Sequence, residues 1–192
     1  IQGQAFLLFI YTSALMFVLR FFAGQIVHRI NPLGLLFVSA GLATGGLYML
    51  GSSATGFAII VAATVYGSGK TFFWPMMLAV VSEQFPRGGA LTLGAVGAIG
   101  MLSAGLLGGP GIGYKQDYFA SEYLQQQHPA LYEEFSAAGE LGFLFFPEIT
   151  GLDGAKVGGV IEADPSALSP VDTEYRGALV RASTYGGQMA LK

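Results

Sequence analysis

The chain has 192 residues, of which 53% are hydrophobic and 11% are charged. An average soluble domain has about 25% charged residues, so this composition argues against a soluble globular protein, and the lack of a basic surface argues against nucleic-acid binding. The chain contains no cysteine, which excludes disulfides and thiol chemistry, and His28 and His128 are too far apart in sequence to indicate a metal site. We expect no metal ion and no cofactor.

Charge divides the chain into two parts. Residues 1–113 carry four basic residues and one acid, whereas residues 114–192 carry five basic residues and eleven acids. The first part is therefore apolar and slightly basic, and the second part is polar and acidic. We predict a domain boundary near residues 113–114, directly after a glycine-rich run.

Four runs in the first part have the length of a membrane-spanning helix, which needs about 20 mainly apolar residues. They predict transmembrane helices at about 4–22, 33–51, 56–82 and 88–109, and Lys70 interrupts the third. Because a bilayer offers the backbone no hydrogen-bond partners, each run must satisfy its own groups, as a helix does. The predicted fold class is all-α, a polytopic helical membrane protein with four transmembrane helices and a polar tail.

Basic residues in the connections predict the orientation in the membrane. The first connection follows Arg20 and holds His28 and Arg29, and the third holds Arg87, so we expect both on the cytoplasmic side. The second connection has no charge and is expected outside. The acidic part, residues 114–192, then forms an extracytoplasmic loop or insertion of a plasma (inner) membrane protein.

The acidic part contains no apolar run long enough to cross a membrane. Residues 117–127 and 130–138 indicate short helices, and Ser169 is a candidate N-cap for a helix from Pro170 to about Tyr185. Neither a pair of catalytic carboxylates nor a nucleophile with its base can be found in this pattern. We therefore do not expect an enzyme, and we expect the acids to form a solvated surface.

Lys70 is the first candidate functional residue. It lies near the middle of the third predicted helix, where a lipid-facing ammonium would cost about 2.5–3.5 kcal/mol. We therefore expect it to face a polar cavity, as a contact for an anionic substrate or a coupling proton, with Tyr66 and Trp74 on the same helical face as cavity-wall residues. The alternative is a structural lysine paired with a helix-end carbonyl or with an acid outside this segment.

Glycines in the fourth predicted span form the second candidate group. Its members are Gly94, Gly97, Gly100, Gly105, Gly108 and Gly109, and Pro110 follows directly. Gly97, Gly105, Gly109 and Pro110 are the candidates for helix packing or a hinge. Small residues let membrane helices approach each other closely. Two interpretations stay open, namely close helix packing and a hinge for alternating access.

The connection after the first span resembles the cytoplasmic signature loop of the major facilitator superfamily, Gly-x-x-x-Asp-Arg-x-Gly-Arg. Gly24 and Arg29 match this pattern, and His28 stands at the position of the aspartate. Asn31 and Pro32 replace the last glycine and the last basic residue. The resemblance implies that Gly24, His28 and Arg29 belong to a cytoplasmic gate.

Two later segments are also similar to this family. Residues 83–88 resemble the loop between the fourth and fifth helices of one half, and residues 105–113 partly match a Gly-Pro motif of the fifth helix. The resemblance covers about residues 1–113 and implies helices eight to eleven of a twelve-helix transporter, followed by an enlarged outward loop. Helices two to five are the lesser alternative. Since the chain begins at Ile1, we expect a fragment, a partial major-facilitator-like bundle.

The function that the resemblance implies is secondary active transport of a small solute by alternating access, coupled to a proton or sodium ion gradient. The expected partners are this solute, which would be anionic if it binds Lys70, the coupling ion and the lipid bilayer. The alternative is a non-transporting four-helix membrane anchor that presents residues 114–192 as an interaction domain. Folding and partner binding by the isolated tail would favour the anchor, and uptake that is lost in Lys70→Ala would favour the transporter.

Overall fold

The computed structural model describes residues 2–27, 29–53, 56–164 and 170–192. Most of these residues are helical, and the chain divides into two compact units, Ile1–Leu102 and Ser103–Lys192. This division lies inside the fourth predicted span, whereas the change in charge lies near residues 113–114.

Long helices make up most of the first unit. They are α1 (Gln2–Phe21), α2 (Ala23–Val27), α3 (Pro32–Ser52), α4 (Gly56–Gln84) and α5 (Gly89–Ser103). Helix α3 shows why these segments begin where they do. Asn31 Oδ1 accepts a hydrogen bond of 2.6 Å from the Gly34 N–H, and Pro32 occupies the first turn, where its missing N–H is not needed.

Three of the described helices are long and apolar enough to cross a membrane. They are Pro32–Ser52, Gly56–Gln84 and Gly89–Gln127. Helix α1 contains an apolar stretch over Phe6–Phe21, which falls short of that length. The helical class and three membrane-length helices are therefore confirmed, whereas a fourth span over residues 4–22 stays a prediction.

Helices α3 and α4 pack with their backbones in close contact. A Cβ atom on Gly69 would lie 2.5 Å from the Ala43 nitrogen and 2.7 Å from the Ser39 carbonyl oxygen, and a Cβ on Gly46 would overlap the Tyr66 backbone. No side chain fits at either glycine. The small residues therefore allow the close approach that stabilises helix pairs in a membrane.

Helix α1 packs on a neighbouring face of α4. The Tyr11 hydroxyl and Thr64 Oγ1 form a hydrogen bond of 2.7 Å. One turn further along α4, Leu15 Cδ2 lies 3.2 Å from the position that a Cβ on Gly67 would occupy. Helix α4 is thus packed against α3 and α1, and it forms the centre of the first unit.

The fourth predicted span continues beyond residue 109, where the sequence analysis placed its end. Helix α5 passes through a π-helical turn (Ala104–Gly108) into α6 (Gly109–Gln127). In this turn the Gly109 N–H donates to the Ala104 carbonyl oxygen, five residues earlier. The wider turn lies directly before Pro110, which has no N–H to donate. The Gly-Pro pair therefore changes the helical turn and does not end the helix.

The second unit contains α6 and a small mixture of helices and strands. These are α7 (Pro129–Phe135), β1 (Ser136–Leu141), β2 (Ile149–Leu152), α8 (Gly154–Glu162) and α9 (Pro170–Ala190). The two strands are antiparallel, with Leu141 opposite Ile149 and an irregular register between Ser136 and Glu140. This strand pair is the exception to the all-α prediction.

Two predicted helices of the acidic part have different ends in the structure. Helix α7 ends at Phe135 and not at residue 138, because the Phe135 carbonyl accepts a 2.8 Å hydrogen bond from the Asp153 N–H and the following residues pair with β2. Helix α9 extends to Ala190, beyond the predicted end near Tyr185. The proposed N-cap, Ser169, lies outside the described residues.

A hydrophobic core holds the second unit together. Its buried members come from α6, α7, α8 and α9, and they are Ala120, Leu124, Leu131, Phe135, Val157, Ala178, Leu179 and Ala182. A Cβ on Gly186 would overlap the Gln116 carbonyl oxygen, so α6 and α9 also approach each other closely. The acidic part therefore folds around its own core.

Candidate functional site

Lys70 occupies the midpoint of α4, fourteen residues from each end of the helix. At 1.5 Å per residue, this places it about 21 Å from either end. Glu83 is the one acid in the sequence of residues 1–102, and it lies thirteen residues further along the same helix. A carboxylate partner for Lys70 is therefore not available within its own helical neighbourhood.

The Lys70 side chain lies on the side of α4 that α3 and α1 leave open. Gly69 and Thr71, its neighbours in sequence, are buried, and Thr71 Oγ1 donates a 2.7 Å hydrogen bond to the Gly67 carbonyl. Lys70 itself is exposed, and its Nζ lies over the Tyr66 ring, 5.7 Å from the centroid. The structure thus brings Lys70 and Tyr66 together.

Trp74 follows Lys70 by one helical turn and contacts α5. Its Cζ3 lies 3.3 Å from the position of a Cβ on Gly100, and its Cζ2 lies 3.9 Å from the corresponding position on Gly97. The indole is still 40% exposed. Tyr66, Lys70 and Trp74 therefore form one stripe along α4, and Gly97 and Gly100 make room for the indole at its end.

Gly97 and Gly100 both belong to the glycine pattern of the fourth predicted span, and Gly100 makes the closer approach to Trp74. The two glycines are three residues apart and therefore lie on the same face of α5. That spacing was visible in the sequence. Which helix would cover this face was not, because only the folded chain places the Trp74 indole there.

Two of the predicted gate residues, Gly24 and Arg29, lie in the short segment between α1 and α3. Gly24 is in α2, with open space at the position of a Cβ, and Arg29 is exposed in the following turn, where its N–H donates to the Ile26 carbonyl at 3.0 Å. An apolar cluster around Phe72 holds α2 against α4. His28 lies outside the described residues.

The other two candidate glycines of the fourth predicted span, Gly105 and Gly109, belong to the second unit and lie at the π-helical turn. Gly105 has open space around the position of a Cβ, and a Cβ on Gly109 would lie 3.9 Å from the Ala104 carbonyl oxygen. Pro110 follows in the first turn of α6. The described chain thus places these residues in an irregular turn, without a helix packed on Gly105.

Within the described ranges, no group of three or more His, Cys, Asp or Glu side chains is arranged to hold a metal ion. Comparison with protein-family models, with curated proteins and with solved structures finds no significant match for this chain. The functional interpretation therefore depends on the residues and their packing.

Proposed function

We propose that the chain is part of a secondary active membrane transporter, which moves a small solute by alternating access and is coupled to a proton or sodium ion gradient. The observation that carries this proposal is the placement of Lys70. A lone ammonium lies at the midpoint of a 29-residue apolar helix, on the side that the neighbouring helices leave open.

The energies of this placement favour a hydrated pathway over lipid. An ammonium in the middle of a bilayer costs about 2.5–3.5 kcal/mol. The contact with Tyr66 offsets part of this cost, by about 0.5–1 kcal/mol where such a pair is exposed to water and by about 2 kcal/mol where it is desolvated. The difference must come from water, from a polar solute or from groups on further helices. Water or a polar solute makes the stripe of Tyr66, Lys70 and Trp74 the wall of a polar cavity, whereas pairing with groups on further helices would make Lys70 a structural residue.

A cavity wall of this composition is suited to an anionic solute. The Lys70 ammonium is a point charge with three N–H donors, and the rings of Tyr66 and Trp74 offer apolar surfaces on either side of it. Pockets for small molecules commonly combine mostly apolar walls with a few placed polar groups. We therefore assign substrate binding or proton coupling to Lys70.

The sidedness and the gate in this proposal rest on the residue pattern. Gly24 and Arg29 match positions of the major facilitator signature loop, and the basic connections are those expected on the cytoplasmic side. In this arrangement the protein lies in the plasma membrane, the gate is cytoplasmic and the acidic second unit lies outside.

Solute-induced currents in proteoliposomes test the proposal. The full reading frame that encodes this segment is reconstituted and exposed to a panel of small carboxylates, phosphate esters and sulfonates. We expect at least one anion to produce a current, which is lost in Lys70→Ala. Lys70→Arg cannot release a proton, so it keeps much of the current if Lys70 binds the solute and loses it if Lys70 carries the coupling proton. Lys192→Ala, which removes a charge from the second unit, is the control. A current that is unchanged in Lys70→Ala would contradict the role of this residue.

A second candidate function is a membrane anchor that presents an interaction domain. The hydrophobic core of the second unit favours it, because a loop that only connects two helices does not need a core of its own. The anchor requires that the second unit binds a macromolecular partner and that Lys70→Ala leaves the biological activity intact. The same Lys70 variants therefore discriminate between the two functions.

A further inference from the structure

The connection between β1 and β2 contains an apolar segment, residues 142–147, which we call the aromatic loop. It holds three phenylalanines and a leucine and carries no charge, although Glu140 and Glu148 flank it. Leu144 is 68% exposed and Phe145 is 86% exposed. An exposed apolar patch with polar residues at its rim commonly marks a contact with another protein or with a membrane. Neither the transport proposal nor the anchor uses this loop.

The backbone at the tip of the aromatic loop is unusual for such large side chains. The Phe146 N–H donates a 3.0 Å hydrogen bond to the Phe143 carbonyl oxygen, so the chain makes a tight turn. Leu144 in this turn has a φ of 54°, a conformation that turns normally give to Gly, Asn or Asp. A large apolar side chain therefore stands where a small or polar residue would be favoured, which indicates that the tip meets an apolar environment.

Contacts with α6 fix the position of the aromatic loop. The Tyr114 hydroxyl donates a 2.7 Å hydrogen bond to the Pro147 carbonyl oxygen, and the centroids of the Tyr114 and Phe146 rings are 5.6 Å apart. One turn earlier on the helix, a Cβ atom on Gly111 would lie 3.0 Å from Phe143 Cε1. The aromatic loop therefore lies beside the first two turns of α6.

The first turns of α6 are also where the apolar part of the long helix Gly89–Gln127 ends, since no charged residue occurs along it before Lys115. The hydrocarbon core of a bilayer takes about 20 helical residues, so a core that begins just after Arg87 ends near residue 108. The headgroup region adds about 5–7 Å, which covers the next few residues, and tyrosine is enriched there, as Tyr114 would be. By residue count, the aromatic loop is at the level of the lipid headgroups.

Continuity with the apolar helix favours lipid over a protein as the partner of the loop. Leu106 and Leu107, in the π-helical turn, are both exposed and directly precede the part of α6 on which the loop packs. Exposed apolar side chains thus occur on the helix and on the loop beside it, and one bilayer would cover both.

We propose that the tip of the aromatic loop inserts into the membrane interface and attaches the second unit to the lipid surface. Leu144 and Phe145 enter the region between the headgroups and the acyl chains, and Tyr114 holds the loop at this depth. The loop has no basic residue, so the attraction is apolar and not electrostatic. The inference depends on the helix Gly89–Gln127 crossing the membrane, and not on transport or on Lys70.

A single tryptophan at the loop tip tests this insertion. In the full chain, Trp74→Phe removes the native indole and Phe145→Trp places a new one at the tip. The chain is reconstituted in vesicles of zwitterionic lipid that is brominated near the top of the acyl chains, where bromine quenches a neighbouring indole. We expect the emission to fall at least about twofold, because an interfacial ring lies at this depth. The quenching should be equal at low and high salt, since the loop has no charge.

Val171→Trp in the same background is the matched control. Val171 is also an exposed apolar residue of the second unit, at the start of α9. Gly186 of α9 packs against Gln116 near the start of α6, whereas Tyr175 and Gln127, at the end of α6, line one pocket. The two helices are therefore antiparallel, and Val171 lies at the end remote from the loop. We expect bromination to leave its emission unchanged.

Further measurements separate shallow insertion from the other environments that the tip could have. Lipid brominated near the ends of the acyl chains should quench Phe145→Trp less than lipid brominated near the top, and Phe146→Trp, in the same loop, gives an independent report. Circular dichroism checks that each variant keeps its helices. The proposal is overturned if neither lipid quenches these indoles, whether they are then open to aqueous iodide or covered by protein. Stronger quenching by the deeper bromines, or equal quenching of Val171→Trp, would overturn it as well.

Discussion

Gly69 and Lys70 are adjacent in sequence and have opposite environments on α4. The glycine is buried where α3 approaches most closely, and the lysine is exposed on the open side. A helix turns by about 100° per residue, so a single step along the chain leads from a packed interface to a candidate cavity wall. Packing against α3 therefore determines which way Lys70 points.

We predict that Gly69→Val destabilises the first unit by about 1–3 kcal/mol, because its Cβ would lie 2.5 Å from the Ala43 backbone nitrogen and the helices would have to separate. Thermal unfolding in detergent measures this loss. Trp74, the single tryptophan, is an intrinsic fluorescent reporter five residues further along the same helix.

Gly41→Ala is the matched control on α3. Gly41 is exposed and has open space at the position of a Cβ, so alanine should be neutral or stabilising by up to about 1 kcal/mol. Equal destabilisation in both variants would contradict close packing at Gly69.

At the scale of elements, the start of α8 depends on one side chain. Asp153 Oδ1 accepts hydrogen bonds from the N–H groups of Ala155 and Lys156, at 3.0 and 3.2 Å, and so caps the helix. We predict that Asp153→Ala lowers the free energy of unfolding of the second unit by about 1 kcal/mol. Chemical denaturation followed by circular dichroism measures it.

Asp153→Asn keeps a side-chain oxygen at the same position and is the control for the cap. Asparagine caps helices about as well as aspartate, so its effect should stay within a few tenths of a kcal/mol. If both variants lose the same stability, the charge and not the cap is responsible.

Hydropathy and spacing predicted several elements. The apolar runs that became α3 and α4 have the length of a membrane span, and the four-residue spacing of Tyr66, Lys70 and Trp74 placed them on one helical face before the structure was known. Both predictions depend on local periodicity, which the sequence contains.

Other features depend on contacts between distant residues. Ser136–Leu141 has no β-branched residue, and it forms a strand because β2 pairs with it. The continuation of the helix through Pro110 depends on a π-helical turn that composition does not indicate. The aromatic loop lies on α6 because the Tyr114 hydroxyl bonds the Pro147 carbonyl oxygen, a contact that only the folded chain shows.

At the scale of the whole molecule, the two units have different kinds of stability. The first unit has membrane-length helices with many exposed apolar side chains, whereas the second has a buried core around Leu124 and Leu179. A bilayer satisfies the apolar surface of the first unit, whereas the second unit is stabilised by its own core and also exposes apolar side chains such as Leu144 and Phe145. This contrast supports a membrane part and a part with a separate core in one chain.

We predict that residues 109–192 fold alone in water and unfold cooperatively on heating, as followed by circular dichroism. Leu179 is fully buried, so we expect Leu179→Ala to lower the free energy of unfolding by about 2–5 kcal/mol. Val171→Ala, at a residue that is 54% exposed, should have little effect. A gradual transition without cooperativity would contradict an independent core.

The central claim is that Lys70 faces water within the membrane, and labelling of a substituted cysteine tests it most directly. The 192 residues contain no cysteine, so Lys70→Cys and Leu42→Cys each introduce a thiol without a competing one in this segment. Leu42 is 41% exposed at the middle of α3 and is the control for an apolar position at similar depth.

A water-soluble maleimide is applied to membranes that contain the full reading frame, and the labelling rate is measured. Because the reactive thiolate forms in water and not in hydrocarbon, we predict at least about tenfold faster labelling at position 70 than at position 42. Equally slow labelling at both positions would show that Lys70 faces lipid or packed protein, and it would contradict the transport proposal.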